Sequence, residues 1–293
     1  KKSDRDEKLT KTKKGADMKE NSDILRLRVL LAFLNDDEPC TVMSIARTLK
    51  EEHYTISRVI SSLEKEGLIN RKAPRRPELT EAGKREALFY QERIYTTMNH
   101  LLYEGVNMES AKNDSYFWAL YNTEDTMKVI RSADEKCRIK YELRDKRQFG
   151  GSLLCRNMKD GEYKFPFIIY REYAKNGDSI SMANDGFEHP CTLSVIRGNG
   201  TILLKAVDMN ARSGYDGKLM KGRIKGMKYF DNGRYISSDR NGNLLSVPAS
   251  ALTFKNMGEG MGQIFHGVVS LKMNCSAGPI HMPESTAIFT ILI

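Results

Sequence analysis

The chain has 293 residues, 40% hydrophobic and 29% charged, with a formal net charge of +9, a size and composition that suit two soluble domains with cores of their own. Its longest apolar runs, Val29 to Leu34 and Phe165 to Tyr170, are far short of the roughly 20 residues that span a bilayer, which excludes a helical membrane anchor among them. The positive charge favours an anionic partner.

Five cysteines (Cys40, Cys137, Cys155, Cys191 and Cys275) are odd in number, widely spread and never arranged as C-x-x-C. That pattern suits reduced thiols rather than a disulfide frame or a zinc knot. No charged-then-apolar signal segment opens the sequence, so the expected location is the cytoplasm, with no membrane partner.

Taken in chain order, Lys1 to Ser22 is polar and lysine-rich and reads as a flexible basic arm, either solvated or touching phosphates. From Asp23 the period is helical to about Ala133. Leu25, Val29, Leu30, Phe33 and Leu34 recur at three- and four-residue steps as a first core helix, ended by Asn35-Asp36-Asp37-Glu38-Pro39. Val42 to Leu49 and His53 to Glu66 are two further helices, with Gly67 at the cap. A long amphipathic stretch then runs from Thr80 to Tyr103, and one shorter stretch from Asn107 to about Ser132.

After Ala133, Asn-Gly or Asp-Gly pairs stand at 160, 176, 185, 216, 232 and 241 between short β-branched and aromatic runs. Turn dipeptides at that density predict a mainly antiparallel β domain, with its boundary between Ala133 and Gly150. The expected fold is α+β. It comprises an arm over 1–22, a winged helix-turn-helix over 23–88, a helical dimerisation region over 89–133 and a β-rich C-terminal domain over 134–293.

The chemistry concentrates before residue 80. The helix from His53 to Glu66 turns Ile56, Val59, Ile60 and Leu63 to one face, and Tyr54, Thr55, Ser57, Arg58, Ser61 and Ser62 to the other. Short hydrogen-bonding side chains around one arginine suit a helix in the major groove, although the same residues also suit a plainly solvated face. Asn70 to Glu78 holds Arg71, Lys72, Arg75 and Arg76 with two prolines, a short basic hairpin that would lie against phosphates. Candidate DNA contacts are therefore Tyr54, Thr55, Ser57, Arg58, Ser61, Arg71, Lys72, Arg75 and Arg76.

Ser44-Ile45-Ala46-Arg47-Thr48-Leu49, Thr55 to Ile60, Leu63 to Ile69 and Leu79-Thr80-Glu81-Ala82-Gly83 resemble the winged-helix repressors of the DtxR/MntR and MarR families. The short wing favours the first. So do Glu92-Arg93, Leu101-Leu102, Gly105-Val106, Ala111 and Thr123-Glu124, which follow the order of that family's dimerisation helices. The resemblance covers residues 23 to 132, and it implies a homodimer on a palindromic double-stranded DNA site.

It also implies iron or manganese sensing by carboxylates and histidines. At the matching positions this chain has Ile94, Tyr116, Ala119, Leu120, and Arg26 or Arg28 according to register. Isoleucine, alanine and leucine cannot ligate a metal and arginine would repel one, so no metal site and no cofactor are expected. The aromatic cluster around Tyr116, Trp118 and Tyr121 reads either as a hydrophobic core or as an apolar effector pocket.

In the β region, His189-Pro190-Cys191 and Cys275 with His281 match no zinc spacing, and Asp239 to Asn243 lacks the closing glutamate of a calcium loop. Gly258 to Gly262 does not sit in a βαβ unit. Gly222-Arg223-Ile224-Lys225-Gly226-Met227-Lys228 reads as the solvated edge of a strand, or as a contact for DNA or an anionic ligand. The family's small β-barrel is about half the size of this domain, and no stretch matches it.

The reading is a homodimeric, sequence-specific transcriptional regulator, a repressor by resemblance, with no enzymatic activity and a small-molecule effector as a further partner. Two other readings stand beside it. One is a metal-responsive repressor with other ligands; the other is an enzymatic or ligand-binding β domain tethered to DNA.

Overall fold

The computed structural model describes residues 22–34, 40–73, 76–175, 178–212, 219–259, 262–277, 280–281 and 284–293. The basic arm expected over 1–22 lies outside the described residues up to position 21, and Ser22 already stands in the first helix. Asn35 to Pro39 also lie outside them. The chain divides into two compact units, Lys1–Asp134 and Glu135–Ile293.

In the first unit, helix α1 (residues 22–32) buries Leu27, Val29 and Leu30. Helix α2 (Val42–Leu49) begins with a reciprocal cap: the Thr41 hydroxyl accepts from Ser44 N at 3.0 Å, and Ser44 Oγ accepts from Thr41 N at 2.9 Å. Two first-turn donors that the helix itself cannot satisfy are thereby paired. Helix α3 (His53–Lys65) sends Ile56, Ile60 and Leu63 into the core beside Val29, Leu30 and Ile45. Gly67, at φ 77°, turns the chain out of α3.

Strands β1 (Ile69–Ala73) and β2 (Arg76–Leu79) form an antiparallel hairpin. Its register slips by one residue between the pairs Asn70–Glu78 and Ala73–Arg76, a bulge on β1. Helix α4 (Glu81–Tyr103) starts at Thr80, whose hydroxyl accepts from Gly83 N at 3.0 Å and donates to Gly67 O at 2.7 Å. The end of α3, the base of the hairpin and the start of α4 thus meet at one corner.

The single stretch expected from Asn107 to Ser132 is two helices, α5 (Met108–Tyr121) and α6 (Glu124–Glu142). Asn122 leaves the helical conformation at ψ 140°, its carbonyl is taken by the Arg93 guanidinium, and the Thr123 hydroxyl caps Thr126 N at 3.3 Å. Glu124 and Asp125 in the next turn suit the positive end of the new helix. No proline or glycine marks this break, and α6 continues ten residues past Ser132, where the shorter amphipathic stretch was expected to end.

The second unit is built of antiparallel pairs. Its strands are β3 (Gln148–Gly150), β4 (Gly161–Phe165), β5 (Phe167–Lys175), β6 (Asp178–Ile180), β7 (Cys191–Ile196), β8 (Asn199–Lys205) and β9 (Met209–Arg212). They continue as β10 (Leu219–Asp231), β11 (Arg234–Ser237), β12 (Arg240–Asn241), β13 (Leu244–Pro248), β14 (Thr253–Met257), β15 (Ile264–Ala277), β16 (Ile280–His281) and β17 (Ser285–Leu292). The smaller sheet has the order β12-β13-β8-β7-β4, and the larger runs β11-β10-β15-β17-β5-β6 with β3, β9, β14 and β16 attached. One core draws on both sheets, with Leu193, Val195, Ile202 and Leu204 from the smaller and Ile169, Leu271, Phe289 and Ile291 from the larger. A short helix, α7 (Gly151–Asn157), adds Leu154 and Cys155 to it.

Two sequence expectations change here. Asp185-Gly186 is not a hairpin turn but the end of a 3-10 segment, Met182–Gly186; Gly186 sits against Ile224 and Met209, so tertiary contact overrides the dipeptide signal. The basic run from Gly222 to Lys228 is a sheet edge only in part. It lies in β10 and pairs with β15 on one side; on the other, β9 reaches only to Gly222 and β11 begins at Lys228, so Arg223 to Met227 have no strand partner there. Conversely, Arg197-Gly198 closes the β7–β8 hairpin with φ of 50° and 74°, the same left-handed pair that Asn232-Gly233 adopts between β10 and β11 at 48° and 81°.

Candidate nucleic-acid interface

Helix α3 is anchored by its apolar face, which leaves the opposite face to solvent. Glu52 makes no side-chain cap hydrogen bond to α3 and no acidic residue sits in its first turn, while Glu51 and Glu52 stand exposed just before it, where their charge suits the positive end of the helix. Tyr54 is 70% exposed, and the exposed Arg58 holds its guanidinium 5.9 Å from the centre of the Tyr54 ring. Thr55, Ser57 and Ser61 are half-buried.

The hairpin is fastened to this helix by Arg71. Its Nη2 donates to Ser57 O at 3.4 Å and Ser61 Oγ at 3.3 Å, while its Nε lies 3.4 Å from Glu64. Ser61 Oγ in turn donates to Ser57 O at 2.9 Å. Arg71, Ser57 and Ser61, all expected to face DNA, are thus joined to each other, and Arg71 lies in the stretch of β1, between Asn70 and Ala73, that holds the bulge. Lys72 and Arg76 are exposed, and Arg75 lies outside the described residues. Glu64 was not singled out from the sequence; its place one α-helical turn beyond Ile60 and its charge opposite to Arg71 are the only signals it carried.

Behind the helix, Arg26 of α1 binds Glu66 and lies 3.4 Å from Glu86 of α4. The hydrogen bond from Arg26 holds the Glu66 carboxyl below the usual carboxylate range. Arg26, one of the two positions where the family resemblance would put a glutamate ligand, therefore works as a clamp between elements.

The other implied ligand positions are apolar in fact as well as in sequence. Ile94, Ala119 and Leu27 form a small core cluster with Tyr116, Leu120, Leu31 and Tyr90 packed on it. These residues do not fit a divalent cation, which needs oxygen or imidazole donors. Among the described residues, no group of three or more histidines, cysteines or carboxylates comes together to hold a metal.

The aromatic trio is split by helical geometry. Tyr116 packs on the Ile94–Ala119 cluster, whereas Tyr121, 47% exposed, sets its ring at a tilt against Phe117, centres 4.8 Å apart, and donates its hydroxyl to Asp23 at 2.9 Å. Trp118 is two residues from Tyr116, about 200° around the helix, and half-buried.

In the second unit, His189 stacks on Phe167 with ring centres 3.9 Å apart, and Cys191 donates to Phe165 O at 3.3 Å. Burial pushes the Cys191 thiol up to about 12 and the Cys155 thiol up to about 11. Both thiols are thereby held protonated at neutral pH, unlike an activated nucleophile. No described helix is long and apolar enough to cross a membrane.

No protein-family model matches the chain, and no curated protein matches it. Among solved structures it is similar to the NEAT5 domain of IsdX2, a B. anthracis hemophore in complex with heme, at 16% identity and a TM-score of 0.28, over 45% of this chain and 96% of that one. It is similar to the hypothetical protein SSo2273 from Sulfolobus solfataricus at 19% identity and a TM-score of 0.30, over 36% of this chain and 82% of that one. It is also similar to T. acidophilum IdeR at 14% identity and a TM-score of 0.30, over 68% of this chain and 91% of that one. TM-scores of 0.28 to 0.30 give these likenesses no weight in assigning a function to the chain.

Proposed function

We propose that this chain is a sequence-specific transcriptional regulator that binds double-stranded DNA as a homodimer, with repression as the outcome, and that it is not an enzyme. The observation that carries this reading is the polar face of α3 with Tyr54 and Arg58 exposed, next to a basic hairpin pinned to the same helix through Arg71. Two helices followed by such a hairpin make a winged helix-turn-helix, in which α3 enters the major groove and the hairpin follows the backbone. Among the described residues, no carboxylate is paired with Arg58, Lys72 or Arg76, so these cations are open to phosphates. Pairing of two subunits is supported by the apolar side chains that α4 and α5 leave exposed, among them Leu88 at 47%, Tyr95 at 54% and Phe117 at 40%.

Fluorescence anisotropy with duplex DNA across a salt series tests this. The wild type is expected to show a steep negative slope of log affinity against log salt. Arg58→Ala, Lys72→Ala and Arg76→Ala combined should flatten it by roughly one unit per lost phosphate contact. An unchanged slope in that variant, or a wild type that does not bind duplex DNA, overturns the reading.

A further inference from the structure

The basic run in β10 meets four other strands, β11, β12, β13 and β15, at a cavity of about 230 Å³ in the second unit. Four cationic side chains line it, Lys225, Lys228, Arg240 and Lys272, against one carboxylate, Glu284. They come from positions up to 47 residues apart, and the sheet register brings them together. Lys228 is directly opposite Lys272 across β10 and β15, with Ser237 of β11 on its other side. Like charges directly opposite each other destabilise a sheet, so this pairing has a cost that the isolated protein carries.

The cost is only partly offset. Glu284 lies 2.7 Å from Lys228, and that hydrogen bond holds its carboxyl below the usual range, with Lys272 adding to the effect. Lys272 rests its ammonium 4.4 Å from the centre of the Tyr235 ring. Arg240 donates to three carbonyls, of Gly242 at 2.8 Å, Ile224 at 3.4 Å and Lys225 at 2.5 Å, which fix its guanidinium without neutralising it. Lys225 is the extra residue of a β-bulge between the pairs Ile224–Cys275 and Gly226–Asn274. Ile224 and Met227 are both buried, so the bulge leaves Lys225 and Gly226 together on the open side, and a side chain at Gly226 would meet nothing.

We infer that this cavity binds a small oxyanion, a phosphate or carboxylate group, through Lys225, Lys272 and Arg240. Its volume is below the roughly 300–1,000 Å³ of sites for drug-sized ligands, which suits a compact anion or the anionic end of a metabolite. The inference does not rest on DNA binding by the other unit.

Isothermal titration of the full chain at constant ionic strength, with inorganic phosphate, citrate and a nucleoside monophosphate as separate probes, tests it and distinguishes phosphate from carboxylate ligands. Saturable binding of at least one probe is expected. Lys225→Gln with Lys272→Gln should weaken it at least tenfold with the melting temperature retained. Lys272→Arg should preserve it, and Glu284→Gln, which removes the competing carboxylate, should preserve or tighten it. No saturable binding of any probe, or equal binding by the double glutamine variant, overturns the inference. So does a double variant that loses only duplex DNA affinity, because the cluster would then be a contact for the nucleic-acid backbone.

Discussion

At Gly83 an added methyl would stand 2.0 Å from the carbonyl oxygen of Leu68, backbone that cannot move aside without opening the corner between the hairpin and α4. Gly83→Ala should therefore cost roughly 1–3 kcal/mol, read from urea unfolding, despite alanine being the better helix former. Thr97 is a counter-example on the same helix. Its hydroxyl is buried with no hydrogen-bond partner among the described residues, so Thr97→Val should be neutral or stabilising by about 1 kcal/mol. A clear loss of stability would mean that the hydroxyl is satisfied in solution. The Arg26–Glu66 pair has a pH signature. Its carboxyl is held below its unfolded value by the Arg26 hydrogen bond, so the pair stabilises above the ordinary carboxylate range and its contribution is lost as pH falls through the folded value. Since the Glu66 side chain is 41% exposed, the stability gap between wild type and Glu66→Gln should be below about 1 kcal/mol at pH 7. It should begin to close as pH falls below the ordinary carboxylate value of about 4.3. A gap that does not narrow at all in acid would show that something other than the ion pair causes it.

Among the elements, the hairpin is the one whose role depends most on its attachment. Arg71 joins β1 to α3 through Ser57, Ser61 and Glu64, so its loss should loosen the hairpin rather than simply remove one phosphate contact. Glu64→Gln, which keeps the side chain's size and leaves Arg71 in place, separates the two roles: weaker duplex binding in this variant is expected if positioning matters. Equal or tighter binding would mean that Arg71 acts through its charge alone. The start of α4 depends on Thr80 in a similar way. Thr80→Ala removes both the cap to Gly83 N and the bond to Gly67 O, with an expected cost of about 1 kcal/mol or slightly more. The helical break at Asn122-Thr123 carries a local sign that the sequence reading missed, a capping threonine followed by two carboxylates. The Arg93 side chain, 29 positions away, adds to it by taking the Asn122 carbonyl.

For the whole molecule, the exposed apolar side chains of α4 and α5 give the dimer proposal a direct check. Leu88→Glu with Phe117→Glu should leave the fold intact, because both side chains are already largely exposed, and should convert a dimer to a monomer in sedimentation velocity. Duplex affinity should fall with it, since two linked recognition helices bind a palindromic site far better than one. A variant that remains dimeric removes this face from consideration. The β unit is stabilised by its own core. Phe289 of β17, fully buried and stacked on Phe167 of β5, should cost about 3–5 kcal/mol of that unit's stability when replaced by alanine.

The α+β class and the antiparallel character of the second unit were legible because apolar period and turn dipeptides are local signals. The helices α2, α3 and α4 were placed within a residue or two for the same reason, their caps and glycines lying next to the segments they end. The apolar replacements at Ile94, Ala119 and Leu120 were also visible by residue type alone. Other features exist only once distant segments meet. Arg71 of the hairpin is joined to α3 through Glu64, and Arg26 of α1 meets Glu66 and Glu86, 40 and 60 positions away. Lys225, Lys228, Arg240 and Lys272 become one cationic cluster only through the register of β10 with β15. Sequence by itself determined which elements form, since propensity, capping and amphipathic period act over a few residues. Only the tertiary structure decided which charged side chains face one another, since cross-strand register and helix contacts are set by packing between residues far apart in the chain.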